Sequence, residues 1–319
     1  WFQLYRHPFS EGPYPGYHHY QKGKWQEPLY NLASEEVAAY LVEQCVHWVN
    51  LGADGLRLDA AADVPLGLLR LLRAAVRAVR PDAVLLGEVT PANLYRYTEN
   101  ALDCATDFPL QEALYDWLWR RKKDARGFAA AAAQRMFWRG TAGSALGFTA
   151  THDQPRLRSL VGDARVARLA HLVLLMRPEV PAIYYGDELG LHSDAPSRSF
   201  EDAWPDRMPM PWADLAADAA TRQLFHDALR LRAAQASVRH GDLQPIPVAE
   251  SHQVLAFRRQ LGAEAVEIYA HGDPEWVELE LDSKTRGQRN QFFFVAALYP
   301  LGIIGVKLSL PDAWHTLMN

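Results

Sequence analysis

The chain has 319 residues, 49% of them apolar, with a formal net charge of −5 and both signs of charge spread along its length. That is enough for one large domain and a small one, and the near-balanced charge argues against a nucleic-acid footprint or a cationic membrane-surface patch. No run approaches the roughly twenty apolar residues of a membrane span, and two cysteines, Cys45 and Cys104, do not make a disulfide framework.

The first thirty residues are rich in aromatics, Pro, Gly and His and hold no period of 2 or 3.6, so they read as a long ordered loop. Its aromatics, Trp25 above all, could stack on the flat apolar face of a ligand or simply pack the loop down. Ser34 is placed as an N-cap before Glu35 and Glu36, and Val37, Tyr40, Leu41, Cys45 and Trp48 follow at helical spacing, which makes Cys45 a packed core thiol. Residues 54–59 then read as a strand. Pro65 opens a helix with Leu68, Leu69, Leu72, Val76 and Val79 on one stripe, and Pro81 marks its end.

Further strands are predicted at 83–88, 101–108, 145–152 and 180–186, with helices beginning near 110 and 163. Strands alternating with helices at this spacing imply parallel β with crossover helices. The polar residues gather at the strands' C-terminal ends, where a (β/α)8 TIM barrel places its active site. Beyond about residue 240, the segments 252–258 and 266–269 read as strands without helices between them. The expected organisation is a catalytic α/β barrel domain over 1–240 and a small all-β domain over 241–319.

Acids stand at three strand ends, in Gly55-Leu56-Arg57-Leu58-Asp59-Ala60, Gly87-Glu88-Val89 and Phe148-Thr149-Ala150-Thr151-His152-Asp153. Glycoside cleavage without a metal needs a carboxylate and a carboxylic acid flanking the scissile bond, about 5–5.5 Å apart in a retaining enzyme. Arg57, two residues before Asp59 on the same strand face, suits Asp59 to the carboxylate role, whereas Glu88 follows an apolar run with no basic neighbour in sequence and suits the acid. Asp153, beside His152, would bind sugar hydroxyls and support an oxocarbenium-like transition state. Asp63 and Arg156 are cleft candidates weighed against surface salt bridges. Asp103 and Asp107 read as caps of local turns, and Asp187 and Glu188 as structural.

Taken in this order and spacing, the three segments resemble three of the four short motifs of glycoside hydrolase family 13, the α-amylase family. The stretch 181–190 resembles the family's eighth strand, 207–212 the loop after it, and 28–32 the segment before its fourth strand. The resemblance covers roughly residues 1–260. It implies Asp59 as nucleophile, Glu88 as acid/base, Asp153 as transition-state stabiliser, and Arg57 and His152 as partners of the sugar. The opening Trp1-Phe2-Gln3-Leu4-Tyr5 and the stretch 102–110 are most similar to the neopullulanase and cyclomaltodextrinase branch, although that branch often has Asn-Glu where this chain has Ala62-Asp63. The resemblance implies an α-glucan oligosaccharide substrate with α-1,4-glucosidic bonds, no organic cofactor, and a homodimer as one assembly open to the branch. Family members often hold calcium, but through the first motif, so no metal site is assigned.

The family's first three barrel strands and its first motif are not found, and the His18-His19 pair is no substitute because no strand precedes it. The chain is therefore expected to represent the barrel from about the loop after the third strand through the eighth, and an export signal upstream of Trp1 stays open. Glycosyl transfer through the same intermediate is the nearest rival to hydrolysis. An inert glycosidase-like fragment or binding domain is the rival of a different class, against which all three carboxylates are present.

Overall fold

The computed structural model describes residues 1–3, 28–90, 94–135, 145–194, 205–215, 218–248, 253–272 and 303–309. Trp25 and the other aromatics of 4–27 lie outside these residues. The chain divides into two compact units, Trp1–Ala105 and Thr106–Asn319.

In the first unit, α1 (Glu35–Asn50) starts after Ser34, whose extended backbone and carbonyl, accepting from Ala38, make it the N-cap without a side-chain hydrogen bond. The helix buries Val37 and Val49, and Cys45 packs with Val49, Val76 and Ala83, where burial pushes its thiol pKa up. Tyr40 and Trp48, expected on the buried stripe, are exposed. Tyr40 instead meets the Trp1 ring, at 4.8 Å between centroids. The chain turns at Gly52, whose φ of 110° lies in the left-handed region that favours glycine.

β1 (Gly55–Leu58) and β2 (Val84–Gly87) then pair in parallel from Gly55↔Val84 to Leu58↔Gly87, with α2 (Leu66–Val79) as the crossover. α2 buries Leu68, Leu69, Leu72 and Val76, the expected stripe less Val79. Gly55 is required because a Cβ there would run into the Val84 carbonyl. After the short α3 (Tyr95–Thr98), β3 (Cys104–Thr106) pairs with β2 through Cys104 and Ala105. Asp103 is not the turn cap expected from sequence. It accepts the Leu85 N–H (2.9 Å) and takes Arg73 and Arg77 at 2.9 and 2.7 Å, tying α2 to the strands.

In the second unit, Asp107 does cap α4 (Phe108–Leu118), accepting the Leu110 N–H at 3.0 Å. α5 (Ala125–Arg135), β4 (Ala145–Gly147), α6 (Leu157–Val161), α7 (Ala164–Met176) and β5 (Val180–Pro181) follow, with β4 and β5 parallel. These strands are shorter than the apolar runs that announced them. The polar C-terminal part of each run leaves the ladder and becomes the loop that carries the candidate site.

α8 (Ala219–Ala234) and α9 (Ala236–His240) lead to a four-stranded antiparallel sheet of β6 (Asp242–Pro245), β7 (Val254–Leu261), β8 (Glu264–His271) and β9 (Ile303–Ser309). β9, which the sequence reading did not predict, pairs antiparallel with β8. Leu255, Phe257, Val266 and Ile268 of this sheet share one core with Leu114, Trp117, Phe128 and Phe225 of the helices. Buried Arg259 crosses between them, donating to the Met176 and Gly241 carbonyls at 2.8 Å each. No helix among the described residues is long and apolar enough to cross a membrane.

Trp117 is fully buried and stacks on Phe128 at 5.2 Å. Trp117→Ala should lower unfolding stability by about 3–5 kcal/mol through lost burial and the cavity left behind. Urea titration would show this as a lower midpoint at unchanged slope. A midpoint equal to wild type would mean that this cluster does not hold the core together.

Candidate active site

The first unit brings together three of the predicted site residues. Leu58 and Gly87 are partners in the β1–β2 ladder, and the Glu88 N–H donates to the Leu58 carbonyl at 2.9 Å. Asp59 and Glu88 therefore leave adjacent strands at the same level. Alternation along the strand puts Arg57 on the Asp59 side, and its Nη1 pairs closely with Asp59 Oδ1. Its Nη2 lies 3.1 Å from Glu88 Oε2.

Glu88, which has no basic neighbour in sequence, thus gains one in the fold. The neighbour is 31 positions away in sequence, because 88 − 57 = 31, and only the strand register supplies it. Proximity to Arg57 does not distinguish the two carboxyls. Solvent does, since the Asp59 side chain is 76% exposed and that of Glu88 20%.

Ala60 follows Asp59 in the left-handed region (φ 42°, ψ 40°), uncommon for a residue with a Cβ. The sharp turn aims its N–H at Glu88 Oε2, at 3.2 Å. The next turn is a 3₁₀ helix, Ala61–Asp63, so Asp63 stands just beyond the strand end that carries Asp59.

The second unit holds His152 and Asp153 on the loop after β4. His152 Nε2 lies 3.2 Å from Asp153 Oδ2, and Arg207 Nη2 donates to Asp153 Oδ1 at 2.7 Å. Sequence reasoning noted Arg207 only as the start of a motif and gave it no role. Arg156 is fully buried and pairs with Asp187 at 2.9 Å, its guanidinium 4.2 Å from the Tyr184 ring centroid and 4.8 Å from that of Tyr185. Its fully buried guanidinium is thus taken up by Asp187 and the two tyrosine rings.

Thr149 lies between two buried titratable groups, its Oγ1 3.3 Å from Asp187 Oδ2 and 3.4 Å from His171 Nδ1. Burial pushes Asp187 up to about 7 against the opposing pull of Arg156, and pushes His171 down to about 4. The two act on stability with opposite sign. Unfolded His171 takes up its proton near its ordinary 6.5 while the folded form resists to about 4, so its contribution is lost as pH falls through that window. Asp187 holds in the fold a proton that the unfolded chain releases near 3.8, so its contribution is lost as pH rises towards about 7. Because Asp187 opposes His171 over this window, the prediction is a difference: relative to wild type, the melting temperature of His171→Gln should rise as pH falls from 6.5 to 4. Calorimetry at several pH values checks this, and a difference from wild type that does not change with pH would show that His171 does not contribute.

Among the described residues no group of three or more His, Cys, Asp or Glu side chains could hold a metal ion. No metal ligand is assigned.

A family model described as Alpha amylase, catalytic domain, matches residues 16–229. A cyclomaltodextrinase of Geobacillus thermopakistaniensis (strain MAS1) is 26% identical over 292 residues, covering 90% of this chain and 48% of that protein. Neopullulanase 2 of Thermoactinomyces vulgaris is 26% identical over 263 residues, covering 81% and 44%. The chain spans about half the length of the curated relatives it matches. Among solved structures, the ligand-free cyclic α-maltosyl-(1→6)-maltose hydrolase from Arthrobacter globiformis superposes with a TM-score of 0.79 at 21% identity, over 97% of this chain and 67% of that one. A structure titled cyclomaltodextrinase gives 0.79 at 23% identity, over 97% and 52%. The fold is thus a partial (β/α)8 barrel followed by a C-terminal β domain.

Proposed function

The chain belongs to the alpha-amylase family of glycoside hydrolases, and on that footing we propose that it is a retaining α-glucan hydrolase, cleaving α-1,4-glucosidic bonds of maltodextrins and cyclodextrins through a covalent glycosyl-enzyme intermediate. The observation that carries the reading is the pair of carboxyls at the ends of two in-register parallel strands, bridged by Arg57. Neighbouring strands lie about 4.8 Å apart, which suits the roughly 5–5.5 Å of a retaining pair better than the wider gap that an inverting pair leaves for water. The names of the relatives, a cyclomaltodextrinase, a neopullulanase and a maltogenic alpha-amylase, point to the same substrate class.

Arg57 pairs with both carboxyls, so exposure is what tells their roles apart. Asp59, exposed and paired with a guanidinium, attacks the anomeric carbon as Glu88, the more enclosed carboxyl, gives its proton to the departing glycosidic oxygen. The C–O bond to the leaving sugar breaks and an ester to Asp59 forms. Glu88, now a carboxylate, then takes a proton from water, whose oxygen attacks the anomeric carbon and frees Asp59. Arg57 steadies both carboxylates, and the family resemblance gives Asp153, with His152, the role of holding sugar hydroxyls as positive charge builds on the ring.

The test is release of reducing ends from maltoheptaose and β-cyclodextrin by the full-length protein. Hydrolysis of either is expected, and with it the product pattern that separates hydrolysis from transfer to an added sugar acceptor. A folded protein that leaves both intact would overturn the proposal.

A further inference from the structure

We propose that Arg207 is a positioning residue that sets the direction of the Asp153 carboxylate. The inference rests on the functional reading above, because it concerns how Asp153 does its work. Arg207 applies two nitrogens of one planar guanidinium to two consecutive residues. Nε donates to the His152 carbonyl at 2.5 Å and Nη2 to Asp153 Oδ1 at 2.7 Å. A fork of this kind fixes an angle as well as a distance, which a single ammonium does not. With Oδ1 committed to Arg207, Oδ2, in looser contact with His152 at 3.2 Å, is the oxygen left to meet a substrate hydroxyl.

The segment bearing Arg207 is itself fixed, which a chance surface ion pair would not need. Buried Asp206 accepts from Ser159 Oγ at 2.6 Å. The Tyr185 hydroxyl donates to the Met208 carbonyl at 2.6 Å, and the Tyr184 hydroxyl to the Asp206 carbonyl at 3.4 Å. Both rings pack on the buried Arg156 guanidinium, and Arg156 is paired with Asp187. A continuous line of support therefore runs from the buried ion pair through the two tyrosines to residues 206–208, and from Arg207 to Asp153. An exposed Arg–Asp pair without such support is worth little. The value of this one lies in orientation.

The experiment compares wild type, Arg207→Ala, Arg207→Lys, Asp153→Asn and the Asp153→Asn/Arg207→Ala double variant. Steady-state kinetics use maltoheptaose, with α-maltosyl fluoride for the slow forms, alongside melting temperatures and a count of active sites by covalent trapping. Arg207→Ala should lose about 10²-fold in kcat per active site with KM moving less than about threefold, as expected for a misplaced catalytic group. Arg207→Lys should recover only part of that loss. In the Asp153→Asn background, Arg207→Ala should cost less than about threefold more, because residues acting through one group are not additive. Equal losses in both backgrounds would overturn the inference, since Arg207 would then act independently of Asp153. So would an Arg207→Ala enzyme with wild-type kcat per trapped site, which would reduce Arg207 to a structural role. If wild type itself proves inactive, the functional reading falls and takes the inference with it, whereas an active wild type beside an indifferent Arg207→Ala removes the inference alone.

Discussion

Asp59→Asn should abolish hydrolysis of maltoheptaose, with kcat falling on the order of 10⁵-fold, the scale on which other covalent hydrolases fail when the nucleophile is removed. The amide is nearly isosteric, can still accept from Arg57 through its carbonyl, and sits where the side chain is 76% exposed, so the fold should tolerate it. What it loses is the ability to form and release a glycosyl ester. Kinetics on purified protein with a wild-type melting temperature would check this, and mass spectrometry of the variant should find no sugar attached at position 59 after incubation with a slow fluoro-sugar. A residual rate within about tenfold of wild type would mean that another group is the nucleophile, since nucleophile removal never leaves so much.

Glu88→Gln tests the other half of the chemistry and should behave differently. Its cost should be about 10³-fold on maltodextrins, where the departing sugar needs a proton, within the usual range for general acid catalysis. With α-maltosyl fluoride, whose fluoride leaves without that help, the first step should proceed close to its normal rate and the ester on Asp59 should accumulate. Glu88 Oε2 meets both Arg57 Nη2 and the Ala60 N–H. The substitution therefore also disturbs the strand end that carries Asp59, and a melting curve belongs beside the kinetics. Equal losses on both substrates would argue that Glu88 supports the site without donating a proton.

The contrast between these two residues also shows how far the site is legible in sequence. Arg57 and Asp59 are two positions apart on one strand, and strand periodicity alone places them on one face. They do meet. The contact of Arg57 with Glu88 depends on the register Leu58↔Gly87, which no local pattern encodes, and so Glu88 reads as isolated from positive charge. Asp103 misleads for the same reason. A single acid next to a turn looks like a turn cap, but its partners, Arg73, Arg77 and the Leu85 N–H, come from other elements. Asp107, whose partner lies three residues on, is the cap that its sequence suggests.

Burial is equally hard to foresee for charged groups. Arg156 follows His152 and Asp153 closely and looks like a cleft residue. It is enclosed because Asp187 and two tyrosine rings compensate its charge from a segment about 30 residues away. Arg207 stands in a recognisable segment, yet its bond to Asp153 spans 54 positions and can be seen only in the fold. The alternation of strands and helices, by contrast, is plain. Each strand is a short apolar run, each crossover helix carries a stripe such as Leu68, Leu69, Leu72 and Val76, and those residues are the buried ones. On α1 the expected stripe is too wide, because an aromatic such as Tyr40 can satisfy itself against Trp1 on the surface as well as in a core.

Stereochemistry of the first product tests the covalent mechanism most directly. Proton NMR of a maltoheptaose digest, recorded before mutarotation equilibrates the anomers, should show α-configured reducing ends appearing first, because two displacements at the anomeric carbon restore its configuration. β-configured ends appearing first would mean a single displacement by water, and would contradict the covalent role assigned to Asp59.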